Sequence, residues 1–254
     1  MAEQLTGGWI DALAVVNAGS VTSWPSRRIR MPSVHINDES PAKPLRVTLI
    51  GSRYFGAAAL VVLQREGVDI ARVVVPVADD RLAATAHTAG IEVVVLDTPK
   101  LVSAAAVAKG TDLIIAAHSH ARVSSEALAR ATMGGIGFHP SLLPRHRGIA
   151  AVEWTIRSGD PIAGGSIYHL AERMDAGAIA AQDWCFVRPG ETARELWERA
   201  LAPMGLELMA QVVRHARKHR TLPAKPQDEQ FATTAPLSTD SARAAAQRSW
   251  PPPG

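Results

Sequence analysis

The chain has 254 residues and a mass of 27.0 kDa, with 47% hydrophobic and 20% charged residues. This composition supports a sizeable hydrophobic core and excludes a chain that is disordered throughout. The formal net charge of +3 is too small by itself to argue for a nucleic-acid partner, and the single cysteine, Cys185, excludes an intramolecular disulfide and a cysteine-based zinc site.

The two ends of the chain differ from its middle. No run of about 18 apolar residues occurs, and the acidic Glu3 and Asp11 stand where a signal peptide would have basic residues. We therefore expect a cytoplasmic protein that does not span a membrane. Proline-containing residues 1–44 predict an irregular N-terminal extension, and residues 223–254 predict an irregular C-terminal tail. Residues 45–222 are expected to form one folded domain.

From residue 45 onward, short apolar runs alternate with segments of helical spacing. The predicted strands are 46–51, 69–76, 91–96, 112–117 and 135–139. The predicted helices are 57–66, 80–89, 102–109 and 124–133. This alternation predicts an α/β fold of the Rossmann-like type, with a mainly parallel sheet covered by helices on both faces.

The second half of the domain has a different pattern. Residues 164–169 and 178–187 predict two strands joined by a turn at 173–177. Thr192 and Glu195 have the spacing of a capping box and predict the start of a helix. We expect that helix to break near Pro203, because proline lacks the amide hydrogen that a helix interior needs.

The turn after the first strand contains Gly51 and Gly56. It matches neither G-x-G-x-x-G nor a phosphate-binding loop that ends in Gly-Lys-Ser/Thr. The two glycines are explained by a sharp turn and by close packing of helix on strand. A plain dinucleotide-binding domain is therefore disfavoured.

The strongest motif is residues 137–148, Gly-Phe-His-Pro-Ser-Leu-Leu-Pro-Arg-His-Arg-Gly. Its histidine, His139, ends a predicted strand at the carboxyl edge of the sheet, where open α/β sheets bind ligands. A lone histidine is more often structural, and an aspartate beside a glycine, as in Asp175-Ala-Gly177, is more often a turn former. However, one helix and one strand separate His139 from Asp175, and such a crossover can bring the two side chains together.

These residues resemble the 10-formyltetrahydrofolate-dependent formyltransferase fold, over about residues 45–232. That family includes glycinamide ribonucleotide, methionyl-tRNA and sugar N-formyltransferases and formyltetrahydrofolate hydrolases. The loop itself is most similar to the hydrolase domain of 10-formyltetrahydrofolate dehydrogenase, and it is also similar to the methionyl-tRNA formyltransferase catalytic domain. The resemblance implies that residues 45–222 are a catalytic domain.

The resemblance implies catalytic roles for His139 and Asp175, which match two members of the family's Asn-x-His and Asp trio. Gly137 stands where the family has the asparagine, whose amide is thought to hold the formyl oxygen. Losing one such donor costs roughly 10²–10³ in rate, and the hydrolase domain also lacks the amide at this position. Ser141 and residues 144–148 are expected to shape the pocket.

The resemblance also implies that 10-formyltetrahydrofolate is the formyl donor and that no metal is needed. The donor is expected in a cleft beside the strand ending at Ala117. The expected binding residues are His118, His120, Ala121, Arg122, Val123, Ala171, Met174 and Asp175. Because His118 and His120 are two residues apart in a loop without a cysteine cluster, a metal site there is disfavoured.

Two reactions fit the resemblance: hydrolysis to formate and tetrahydrofolate, or transfer of the formyl group to a small amine. A methionyl-tRNA formyltransferase-like enzyme without the C-terminal domain and a non-catalytic folate-binding protein remain as alternatives. The basic cluster from Arg214 to Lys225 could guide a phosphate or tRNA, although a solvated helix end also explains it. The roughly thirty residues after Leu222 are too few for an independent domain like the C-terminal domain of methionyl-tRNA formyltransferases, so tRNA is not an expected partner. The sequence does not indicate the oligomeric state.

Overall fold

A computed structural model of the chain describes residues 44–237. The extension predicted for 1–44, apart from its last residue, lies outside the described residues, as does the predicted tail from 238 onward. The strands are β1 (Arg46–Gly51), β2 (Asp69–Val75), β3 (Val93–Val95), β4 (Leu101–Val102), β5 (Leu113–Ala117), β6 (Arg122–Val123), β7 (Gly135–His139), β8 (Ile162–His169) and β9 (Ile179–Phe186). The α-helices are α1 (Arg53–Arg65), α2 (Arg81–Thr88), α3 (Ser125–Leu128), α4 (Ala151–Arg157), α5 (Ala193–Leu196) and α6 (Ala202–His219).

Seven of these strands form one sheet in the order β3-β2-β1-β5-β7-β8-β9. The first five are parallel, and β8 and β9 are antiparallel additions at one side. From β1 the chain adds β2 and β3 on one side of the sheet and then β5 and β7 on the other. The carboxyl ends of β1 and β5 therefore form the switch point, which is the usual place for a ligand in such a sheet.

Alternating residues of the central strands pack into different layers. Leu113 and Ile115 of β5 join the core under α1, α2 and α6, whereas Ile114 joins the core on the other face with Val102 and Val123. The period of two follows from the pleat of a strand. Both faces are thus covered, and the predicted mainly parallel α/β architecture is confirmed. Within the described part of the chain, no helix has both the length and the apolar character needed to cross a bilayer.

Two predicted helices are largely wrong. Residues 102–109 form the end of β4 and a 3-10 turn at Ala104–Ala106, because β4 pairs with β6 in a separate two-stranded ladder. Pairing and burial of Val102 outweigh the helical propensity of the alanines here. The helix predicted at 124–133 is only the four residues of α3.

The expected break near Pro203 is a change of helix type. A π-helical segment at Trp197–Leu201 joins α5 to α6 without a gap, and Pro203 lies in the first turn of α6. Proline has no amide hydrogen to donate to the preceding turn, and Pro203 follows directly on the π-helical segment, where the hydrogen-bonding pattern of the helix changes. The predicted capping box at Thr192 and Glu195 is present.

Candidate functional site

Two histidines lie at the carboxyl ends of neighbouring strands, His139 as the last residue of β7 and His118 directly after β5. Ala116 of β5 is paired with Gly137 of β7, and each strand reaches a histidine two residues later, His118 and His139. The fold therefore positions the two side chains beside the switch point, as the sequence predicts for His139.

The His139 ring is buried, with 6% of its surface exposed, and both its nitrogens face polar groups. Nε2 lies 2.8 Å from the backbone carbonyl oxygen of His146. Because a carbonyl oxygen only accepts hydrogen bonds, Nε2 must carry the hydrogen. Nδ1 lies 3.6 Å from Oδ2 of Asp175. Any proton that the ring gains or loses is therefore exchanged at Nδ1, on the side facing Asp175.

The His139 loop (residues 139–148) is folded by hydrogen bonds from its own residues and from β8. The Ser141 hydroxyl donates to the Arg145 carbonyl at 2.6 Å, and Ser166 of β8 donates to the Ser141 carbonyl at 2.6 Å. The His146 side chain is anchored through Nε2 to Asp160 at 2.7 Å. Ser141 is buried and its hydroxyl is engaged inside the loop, so it contributes to the site by fixing the loop's shape.

Asp175 occupies the turn between β8 and β9. Its φ of 55° lies in the left-handed region, which aspartate adopts more readily than most residues. Its carboxylate is buried, and Oδ2 accepts a hydrogen bond from the Gly148 amide at 2.8 Å. Gly148 itself has a φ of 120°, a conformation that side chains rarely adopt. The Gly148 backbone therefore helps to hold Asp175 beside His139, in a conformation that a residue with a side chain would rarely adopt.

Gly137 faces a tyrosine across the sheet. It is the cross-strand partner of Tyr168 in β8, and a Cβ placed on it would lie 3.2 Å from Cε1 of that ring. The Tyr168 ring meets the His139 ring edge-on, with centroids 6.3 Å apart. Burial, with a smaller contribution from the Asp175 carboxylate, raises the pKa of the Tyr168 hydroxyl well above its usual value. The sequence-based interpretation missed Tyr168, although the alternation of strand residues could have placed it opposite Gly137.

His118 and His120 form a second histidine pair, with ring centroids 5.2 Å apart. Burial, with smaller contributions from His120 and from the Arg53 charge, lowers the pKa of His118 to about 4. Burial and Arg53 lower the pKa of His120 as well. Both rings are thus neutral near neutral pH. Within residues 44–237, no group of three metal-binding side chains lies close enough to hold a metal ion.

The remaining predicted binding residues fall into two segments. Arg122 and Val123 form β6, and the Val123 side chain is buried in the core, so only its backbone could meet a ligand. Ala171 and Met174 are exposed on the turn that leads to Asp175. The contacts of these segments with a folate remain a prediction.

Residues 223–237, which we call the covering segment, pack over the His139 loop. The Gln227 amide donates to the carbonyls of Asp175 at 2.8 Å and Gly177 at 2.7 Å, and its oxygen accepts from Arg147 at 2.6 Å. One side chain therefore links the Asp175 turn to the His139 loop. Sequence reasoning missed Gln227 because nothing in its local pattern indicates a distant partner.

Backbone contacts strengthen this link. The His146 amide donates to the Thr233 hydroxyl at 2.8 Å, and the Arg147 amide donates to the Thr233 carbonyl at 2.9 Å. Arg147 also receives the Ala235 amide on its carbonyl at 2.6 Å and pairs with Glu229 at 2.7 Å. The guanidinium of Arg147 is buried, so these partners offset the cost of removing its charge from water.

The basic cluster on α6 is partly neutralised by ion pairs. Arg214 pairs with Glu66 at 2.6 Å and with Glu207 at 2.9 Å. Arg220, just after the helix, pairs with Asp112 at 2.7 Å. These pairs fit the interpretation of the cluster as a structural helix end.

Comparison with known sequences gives a family and several relatives. The sequence profile of a family described as formyl transferase matches residues 83–213, about half of the chain, including His139 and Asp175. The mitochondrial 10-formyltetrahydrofolate dehydrogenase of Mus musculus is 33% identical over 200 residues, covering 74% of this chain and 22% of that protein. The methionyl-tRNA formyltransferase of Acidobacterium capsulatum is 36% identical over 120 residues, covering 45% of this chain and 38% of that protein. The chain thus spans about a fifth of the length of the dehydrogenases that it matches.

Solved structures share the fold. Glycinamide ribonucleotide transformylase 1 from Symbiobacterium toebii matches with a TM-score of 0.63 and 22% identity, over 73% of this chain and 100% of that one. An N-formyltransferase from Helicobacter canadensis, solved with folinic acid and dTDP-3-aminofucose, matches with a TM-score of 0.65 and 14% identity over 80% of each chain. At these identities the likeness establishes the common fold.

Proposed function

The chain belongs to the formyl transferase family, and we propose that it hydrolyses 10-formyltetrahydrofolate to formate and tetrahydrofolate. The observation that carries this proposal is the position of His139 Nδ1, 3.6 Å from Asp175 Oδ2, while Nε2 is held by the His146 carbonyl. A buried imidazole and carboxylate facing each other at a sheet edge are suited to proton transfer at an attacked carbonyl group.

The proposed reaction uses both groups. A water molecule attacks the formyl carbon while Asp175 accepts one of its protons, and protonated His139 donates a hydrogen bond from Nδ1 to the developing oxyanion. The bond between the formyl carbon and N10 then breaks, and N10 takes the proton held by Asp175. The products are tetrahydrofolate and formic acid, which releases its proton to solvent as formate. No step needs a metal ion or another cofactor.

Gly137 favours water as the acceptor. It offers no side-chain donor for the formyl oxygen, and the dehydrogenase hydrolase domain, which resembles this chain in the loop, lacks the amide there as well. His139 would therefore be the principal donor to the oxyanion. The donor molecule is proposed to lie along residues 118–123 and 171–175, with most contacts made by backbone.

Transfer to a small amine is the second candidate. It is supported by the similarity to a methionyl-tRNA formyltransferase and by the shared fold with transformylases. In that reaction the amine takes the place of water and Asp175 accepts the amine proton. The ion-paired basic cluster on α6 gives little support to tRNA as the acceptor.

The test follows formate and tetrahydrofolate released from 10-formyltetrahydrofolate, with and without small amines. We expect equal amounts of both products without an amine, and a loss of about 10²-fold or more in His139→Ala and Asp175→Asn. His219→Ala, at an exposed position on α6, is the matched control and should keep full activity.

The other outcomes separate the alternatives. Turnover that appears only with an amine would establish transfer in place of hydrolysis. Tight binding of 5-formyltetrahydrofolate by calorimetry, without turnover under any condition, would indicate a non-catalytic folate-binding protein. Absence of binding would refute the folate assignment.

A further inference from the structure

The side chain of His146, in the His139 loop, is buried, with 5% of the residue exposed. Its Nε2 lies 2.7 Å from Oδ2 of Asp160, which follows α4 in the sequence. Its Nδ1 has no hydrogen-bond partner among residues 44–237. The proposed reaction gives no role to this side chain, although the backbone carbonyl of the same residue holds Nε2 of His139.

Two features of His146 are unfavourable for the fold. A buried nitrogen without a partner is destabilising, and a phenylalanine ring would avoid that penalty. The backbone of His146 also has a φ of 55°, which residues with a side chain adopt uncommonly. Within the described part of the chain, the bond from Nε2 to Asp160 is the single hydrogen bond of this side chain. That bond is therefore the feature that distinguishes His146 from an apolar residue of similar size.

Asp160 binds two consecutive residues of the His139 loop. One terminal nitrogen of Arg145 lies 2.9 Å from Oδ1 and 3.0 Å from Oδ2, and Oδ2 also accepts from His146. The Arg145 side chain is 47% exposed, whereas that of His146 is 6% exposed. The bond between Asp160 and His146 is thus shielded from water, which makes it the stronger restraint on the loop.

The peptide unit between His146 and Arg147 is held at both of its polar groups. Its carbonyl oxygen lies 2.8 Å from Nε2 of His139, and its amide donates to the Thr233 carbonyl at 2.9 Å. The ring of His146 leaves the Cα atom next to this carbonyl and ends at Asp160. A rotation about the backbone bonds of His146 would therefore strain the bond to Asp160 as it moves the carbonyl away from His139.

We propose that His146, anchored by Asp160, is a positioning residue that aims its own backbone carbonyl at Nε2 of His139. The carbonyl keeps the ring hydrogen on Nε2 and leaves Nδ1 facing Asp175, 3.6 Å away. The structural part of this inference stands on these contacts alone, and its kinetic part rests on the proposed function.

Two variants of His146 remove the bond to Asp160 in complementary ways. His146→Gly accepts the left-handed backbone without strain, and His146→Phe keeps a buried ring without a nitrogen. We expect both to lower kcat for formyl release about tenfold and to change KM by less than about twofold, because the carbonyl is displaced while no contact with the folate is removed. A loss of kcat in only one of the two would assign the effect to the backbone or to packing and overturn the proposal.

Variants of Asp160 test the other end of the bond. Asp160→Asn keeps an oxygen that can accept from His146, whereas Asp160→Ala removes it. We expect kcat of Asp160→Asn to stay within about threefold of wild type and kcat of Asp160→Ala to fall about tenfold. Adding His146→Phe to Asp160→Ala should have little further effect, because both remove the same bond. Equal kcat in Asp160→Asn and Asp160→Ala, or additive losses in the double variant, would overturn the proposal.

The matched control is Glu92→Ala, which breaks an arginine–carboxylate pair at the other side of the sheet. Arg72 donates to the two oxygens of Glu92 at 3.0 and 2.8 Å, and Glu92 directly precedes the edge strand β3. This variant should keep wild-type kcat. A tenfold loss in Glu92→Ala would show that kcat follows general stability and would overturn the assignment to His146 and Asp160.

A readout without turnover separates this inference from the proposed function. The ¹⁵N shifts of the two His139 ring nitrogens show which nitrogen carries the hydrogen, and their absence from His139→Ala assigns them. At one fixed alkaline pH, wild type should carry the hydrogen on Nε2. In His146→Phe and Asp160→Ala the two shifts should approach each other, as the hydrogen is shared between the nitrogens.

These spectra and the formate assay fail independently of each other. If wild type releases no formate but the ¹⁵N shifts of His139 change as expected, the proposed function fails and the positioning role stands. Unchanged His139 shifts in both His146→Phe and Asp160→Ala would overturn the inference, whatever the activity of the wild-type chain.

Discussion

The His139 loop and the covering segment contact each other at Arg147. The sequence of the loop predicts its structural role, whereas the sequence of the covering segment does not. The loop carries a dense motif, and its histidine, serine and glycine lie where that motif predicts. The covering segment carries prolines and polar residues that predict only an irregular tail, yet Gln227 and Thr233 hold the backbone of both Asp175 and His146. The geometry of the His139 loop thus depends on residues that lie 80 to 87 positions further along the chain.

The difference has a physical cause. An unpaired buried charge destabilises a fold, so the buried Arg147 needs polar or charged partners. The residues around Arg147 do not indicate where in the sequence those partners lie. Its partners, Gln227 and Glu229, come from a segment whose own composition favours no regular structure.

Removing the covering segment should produce the largest effect. We expect a chain that ends after Leu222 to lose about 10²-fold or more in formyl release, because Arg147 loses its side-chain partners and the Asp175 turn loses Gln227. A chain that ends after Leu237 keeps the covering segment and is expected to retain activity. Steady-state kinetics and thermal melting of both chains provide the check; wild-type turnover in the shorter chain would show that the segment is dispensable.

Changing Gln227 alone sharpens the comparison. Gln227→Glu can still accept from Arg147 but cannot donate to the carbonyls of Asp175 and Gly177. We expect kcat to fall about tenfold with a smaller change in melting temperature. Gln230→Ala, an exposed side chain whose hydrogen bonds go to Asp228, should leave the kinetics unchanged. Equal kinetics in both variants would contradict the linking role of Gln227.

Glu229 should give the smallest effect and a defined pH dependence. Its hydrogen bond with Arg147 and the nearby positive charges lower its pKa below the usual 4.5. A group with a lowered folded-state pKa stabilises the fold above its unfolded value, and this contribution disappears as pH falls through the folded value. Urea unfolding should therefore show Glu229→Gln slightly less stable than wild type near neutral pH, with the difference shrinking as the pH falls through the lowered pKa of Glu229. A difference that persists at the acidic end would refute this account.

The sequence predicts the central strands closely because they are buried on both faces and read as continuous apolar runs. It also predicts the encounter of His139 with Asp175, since one helix and one strand return the chain to the same edge. It fails at 102–109, where pairing of β4 with β6 overrides local propensity. It also misses Tyr168, which the antiparallel pairing of β7 with β8 places opposite Gly137 and beside His139.

The most direct test of the central claim is hydrolysis of 10-formyltetrahydrofolate in water enriched in ¹⁸O. If the His139–Asp175 pair activates water, the formate released by the wild-type chain should carry one ¹⁸O atom. The amount of formate should equal the amount of tetrahydrofolate formed. His139→Ala should release labelled formate about 10²-fold or more slowly than the wild-type chain. Labelled formate at the wild-type rate from His139→Ala, or no formate from a wild-type chain that binds the folate, would contradict the account.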